Sequence, residues 1–129
     1  MKKFAPVLLA LAIATAACGK GSPTLRPSST AVLKILTPTE GQIVSTKGVL
    51  VKISLSGARI VPAGSTTLRP DEGHVHLKVD GRTITLFGGL EVSTGPLAKG
   101  PHLIQIEFAA SDHGPFDPRV IQQVAVTAE

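Results

Sequence analysis

A chain of 129 residues with 43% hydrophobic content and a formal net charge of +4 is sized for one compact domain. It holds no Trp, no Tyr, four Phe and one Cys. Few aromatic faces argue against a single-stranded nucleic-acid groove or a carbohydrate cleft, and a lone Cys excludes an internal disulfide.

Met1-Lys2-Lys3 is cationic, Phe4 to Ala14 is apolar apart from Pro6, and small residues Thr15-Ala16-Ala17 lead to Cys18. That is the order of a secretory signal. The apolar run falls short of the roughly 20 residues that a membrane-spanning helix needs. Small residues followed by Cys resemble the lipobox of bacterial lipoproteins, with Thr15 where that motif most often has Leu. The expectation is a signal peptide over 1–17 and lipid on Cys18, with the membrane as the partner reached through that lipid. An ordinary signal beside a stray cysteine is the alternative, but the chain's only Cys falls at the cleavage point. Because Gly19 rather than Asp follows Cys18, the resemblance implies the outer membrane, facing the periplasm, in a Gram-negative envelope.

Removal of Lys2 and Lys3 lowers the net charge to +2 and leaves no run of Lys or Arg, so no nucleic-acid partner is expected. Gly19 to Thr30, GKGSPTLRPSST, reads as a flexible linker with a reach of about 20 Å. The folded domain is expected over 31–129.

Strand signals then follow in order. Val32 to Thr37 ends at the turn Pro38-Thr39-Glu40-Gly41. In Val49 to Leu55, the residues Val49, Val51, Ile53 and Leu55 share one face. After an irregular stretch from Gly57 to Glu72 comes His74 to Val79, and the hairpin signal Asp80-Gly81 returns the chain as Arg82 to Phe87. Leu90 to Thr94, His102 to Ala109 and Val120 to Thr127 complete the set. About seven short strands with no helical period predict an all-β chain, an immunoglobulin- or fibronectin-like β-sandwich, with a small barrel as the alternative.

No G-x-S-x-G elbow, P-loop or H-E-x-x-H sequence occurs. Ser111, Asp112 and His113 are consecutive, which does not build a nucleophile, base and orienter geometry. An enzyme is therefore not expected. His102 shares the alternation of Ile104, Ile106 and Phe108, which assigns it a structural place at the core edge as a neutral ring bonded to backbone. His74 and His76 share the opposite face from Val75, Leu77 and Val79, a face expected to meet solvent or the outer side of the sheet. In an immunoglobulin-like order their strand starts at the end of the sandwich where the His102 strand finishes. His74, His76, Asp112 and His113 then converge as candidate metal ligands, helped by Asp71 or Glu72. Imidazole with carboxylate suits Cu or Zn. The plainer alternative makes them turn, surface or interface residues, and no cofactor is then needed.

Three stretches carry a resemblance: Gly73-His74-Val75-His76-Leu77, Gly100-Pro101-His102-Leu103, and Asp112-His113-Gly114-Pro115-Phe116-Asp117-Pro118. They resemble a family of small secreted bacterial domains of unknown function with GHxHL, PGxHxL and DHxPxxPP motifs. The resemblance covers residues 31 to 128, most specifically 73 to 128. It implies an immunoglobulin-like sandwich outside the cytoplasm and adds no reaction. Arg119 stands where that family often has a second proline, and the last motif holds one His where relatives have two. The sequence thus points to a lipid-anchored, non-catalytic binding or interaction module of the cell envelope, with an envelope protein as a possible partner.

Overall fold

The computed structural model describes residues 25–129. The signal segment and Cys18 lie outside the described residues. Nine strands follow one another: β1 (Val32–Thr37), β2 (Gln42–Val44), β3 (Leu50–Ser56), β4 (Arg59–Ile60), β5 (Glu72–Val79), β6 (Arg82–Phe87), β7 (Glu91–Ser93), β8 (Gly100–Ala110) and β9 (Val120–Ala128). No helix among the described residues is long and apolar enough to cross a membrane.

Two sheets face each other. One has the order β1-β3-β7, the other β2-β9-β8-β5-β4, with β6 also paired to β5. Alternation explains the packing: Leu33, Val51 and Ile53 point inward from the smaller sheet. Val75, Leu77, Ile104, Ile106 and Phe108, each fully buried, answer from the larger one, with Val124 and Val126 beside them. Each such side chain contributes roughly 1.5–3 kcal/mol by leaving water. Phe116 reaches in from the β8–β9 connection and stacks on Phe108 with ring centres 5.6 Å apart, closing that end of the core. The sandwich is all-β, as the alternation predicts, with nine strands rather than about seven.

The two additional strands, β2 and β4, are short and pair in parallel with β9 and β5. Neither has the length to display an alternation, so their sequence reads as loop. β2 carries the chain from the edge of one sheet to the edge of the other. β4 lies beside the start of β5, where Arg59 and Ile60 match Glu72 and Gly73. Gly73 itself faces Ala110 of β8. A Cβ there would meet the Ala109 carbonyl and approach Phe108 Cζ to 2.9 Å, so the close approach of β5 and β8 requires glycine.

Candidate functional site at the histidine end

β5 and β8 run antiparallel, pairing His74 with Ala109 and His76 with Glu107. This brings the start of β5 and the end of β8 to one end of the sandwich, as the predicted strand order requires. The connection after β8 then turns back tightly. His113 N donates to Ala110 O at 2.8 Å and Ala110 N to Gly114 O at 2.9 Å. Asp112 Oδ1 accepts from Gly114 N at 3.0 Å. His113 sits at the bend with φ +64°, the left-handed region that costs a side-chain-bearing residue roughly 1–2 kcal/mol. That bend sets the imidazole over β5. Its ring centre is 4.4 Å from that of His74, nearly parallel at 18°, and 5.8 Å from that of His76, tilted by 30°.

His74 and His76 lie on the face opposite Val75, Leu77 and Val79, as alternation demands. They are nonetheless buried, at 3% and 9% exposure, where the sequence leaves this face open to solvent. The loop between β4 and β5 and the turn after β8 supply the cover. His74 Nδ1 lies 3.2 Å from the Val61 carbonyl and Nε2 3.0 Å from the Ser111 carbonyl. Both nitrogens therefore face carbonyl acceptors; a neutral ring donates to one of them, and its bare nitrogen reaches an ion only by turning away from the other. His113 Nε2 lies 3.3 Å from Ala63 O. His76 differs: its Nε2 is buried without a hydrogen-bond partner, as is the Ser111 hydroxyl. Burial, followed by repulsion from His113, holds the His76 imidazole below its ordinary pKa, which favours the neutral ring.

Two of the three carboxylates named with the histidines, those of Asp112 and Glu72, are engaged elsewhere. Asp112 accepts from the two terminal guanidinium nitrogens of Arg26, at 2.6 and 2.8 Å. This pairing pulls its carboxyl down to about 2. Glu72 pairs with Arg59 and, at 3.8 Å, with Arg69, while the Asp71 backbone carbonyl accepts from Arg59 N. Among the described residues, no group of three or more His, Cys, Asp or Glu side chains is arranged to hold a metal ion. A pocket of about 260 Å³ opens beside His74, lined by Val61, Pro62, Ala63, Leu86, Phe87 and Gly88.

His102 stands apart at the opposite end, half-buried, with the expected backbone bond from Nε2 to Ala98 O at 2.7 Å. The expectation of a neutral ring changes, because Nδ1 meets Asp80 Oδ2 at 2.7 Å. The Ala98 carbonyl and then Asp80 raise its pKa, favouring the imidazolium.

Two further features escape a reading of the sequence. Arg26 lies in the segment read as linker, yet residues 26–30 are held against the domain. Arg26 Nε donates to Pro115 O at 2.7 Å, Asp117 N to Pro27 O at 2.9 Å and Ser29 Oγ to Pro70 O at 2.7 Å. Glu107, at 3% exposure, accepts from Lys78 Nζ at 2.6 Å and from Arg119 at 2.8 and 2.9 Å. Its alternation with Ile106 and Phe108 places it on the His76 face, which was a signal. Arg119, the departure from the closing proline, is what completes its pairing.

No protein-family model and no curated protein matches this chain. Among solved structures it is similar to the fibronectin(III)-like modules of CbhA from Clostridium thermocellum. The identity is 13% and the TM-score 0.51, over 76% of this chain and 96% of that one. An engineered protein gives 14% identity and a TM-score of 0.48, over 77% of this chain and 20% of that one. The first of these likenesses agrees with the two-sheet topology: this chain folds as a fibronectin(III)-like β-sandwich.

Proposed function

We propose that this protein is a lipid-anchored module of the cell envelope, tethered through Cys18, whose sandwich binds a partner without catalysing a reaction. The fold supports the binding role, since it presents loops from a rigid frame. The small-residue run before the only Cys supports the anchor. The observation that carries the placement of the binding surface is the convergence of His74, His76 and His113 at one end, beside the pocket. Mass spectrometry of the protein from bacterial membranes tests the anchor. A diacylglyceryl-modified Cys18 that vanishes in Cys18→Ser supports it, and an unmodified Cys18 thiol in the mature chain sinks it.

One observation favours a second reading, Cu or Zn binding: the buried, unpartnered Nε2 of His76 near His113. Two imidazoles sharing one ion through bonds of about 2 Å have centres on the order of 6 Å apart when nearly opposed. The His76–His113 separation of 5.8 Å fits that spacing. His74 joins only by releasing Val61 O or Ser111 O, and Asp112 only by leaving Arg26. Titration of the mature domain with Cu(II) and Zn(II) decides the matter. Binding tighter than about 10 µM that His76→Ala and His113→Ala abolish supports the reading. Weaker binding, or binding indifferent to both changes, removes it.

A further inference from the structure

We propose that the histidine end of the sandwich faces the lipid surface and the opposite end points away from it. The proposal rests on anchoring through Cys18. It adds an orientation, which follows from where the described chain meets the domain.

Residues 26–30 do not approach the sandwich at random. Arg26 grips Asp112 and Pro115 O, Pro27 O accepts from Asp117 N, and Ser29 and Thr30 donate to Pro70 O. Thr30 Oγ1 also bonds Gly57 O at 2.6 Å. Each of these partners lies in the loops at the end formed by the start of β5 and the finish of β8. The strap therefore enters at the histidine end, and Leu25 marks the point where the anchored segment joins it.

Length then restricts the geometry. Six residues lie between Cys18 and Leu25, and the seven steps from one to the other span at most about 25 Å when fully extended. β8 has 11 residues, so the sandwich is roughly 35 Å long. An inverted domain, resting on its far end, would lift the strap about 35 Å from the surface, beyond the tether's reach. The histidine end must stay within about 25 Å of the lipid-bearing residue. Its exposed side chains suit that surface: Leu25 is 91% exposed and Leu68 45%. Arg69 lies next to Leu68, with its side chain 57% exposed. Apolar tips with a guanidinium fit the boundary between acyl chains and phosphate headgroups.

A depth measurement tests the orientation. The full-length lipidated protein carries a fluorophore on Gly64→Cys, at the histidine end, or on Lys47→Cys, at the far end. A Cβ at Gly64 meets nothing within 4 Å, and Lys47 is exposed. Vesicles of phosphatidylethanolamine and phosphatidylglycerol contain lipid bearing a headgroup nitroxide quencher. At least two-fold stronger quenching at position 64 than at 47 is expected. Equal quenching, or stronger quenching at 47, overturns the orientation while leaving the anchor intact. Should the lipidated chain bind vesicles no better than Cys18→Ser, the anchoring reading fails and the orientation falls with it.

Discussion

The imidazoles of His74 and His113 stack 4.4 Å apart although they come from a strand and from the turn that closes over it. His76 lies beneath the same turn, and part of its depressed pKa comes from His113. An NMR pH titration should show His76 taking its proton below the ordinary histidine range near 6.5. In His113→Ala the midpoint should rise, without full recovery, because burial is the larger cause. A depressed folded-state value means that the unfolded chain binds the proton first. The domain should therefore lose stability as pH falls below about 6.5 and through the folded-state value. A midpoint for His76 at or above 6.5 would contradict this.

Glu107 is the buried charge on that face. Burial raises its pKa, but Lys78 and Arg119 outweigh burial and leave it below the ordinary value. Glu107→Ala strands Lys78 against a buried face and should cost about 3 kcal/mol in urea unfolding. The loss should be largest near neutral pH. It should shrink as pH falls below about 4.3, where the wild-type carboxylate loses its own contribution. A loss under about 1 kcal/mol would show that the pairings add little.

At the opposite end, His102 and Asp80 hold each other with shifts of opposite sense. The raised His102 pKa gives stability that is full below about 6.5 and fades as pH climbs through the folded-state value. The Asp80 carboxyl is lowered by the Leu103 N–H and then by His102, so its contribution fades on acidification below about 3.9. His102→Gln should remove the alkaline part of this dependence. Because Asp80 is exposed, the effect should stay under about 1 kcal/mol between pH 6 and pH 9. Parallel pH–stability curves for wild type and variant would refute the pairing's role.

Gly73→Ala should destabilise the domain by about 1–3 kcal/mol, since the added methyl meets the Ala109 carbonyl and the Phe108 ring. Relief is not available from a rotamer, because backbone is part of the obstruction. Thermal unfolding gives the measurement, and an unchanged midpoint would show that β5 and β8 can part there.

Much of the sandwich was legible because its long strands alternate. Val75, Leu77 and Val79 face the core as read, and Asp80-Gly81 is the hairpin between β5 and β6. The meeting of His74, His76 and His113 followed from strand order alone. The burial of the first two did not, because their cover comes from loops with no periodicity. Asp112 looked like a ligand until Arg26 appeared beside it, from a stretch whose composition reads as linker. Contacts of that kind depend on long-range chain paths, which local pattern does not encode.

β5 is flanked by β8 along one edge and by β4 and β6 along the other, and side chains cover both of its faces. Its amides should be among the slowest in the domain to exchange with solvent. The residues that place His74 and His76 thus belong to a strand paired along both edges, not to a rim. A partner docking at that end would meet the exposed His113 turn, which lies over two buried imidazoles whose positions are already set.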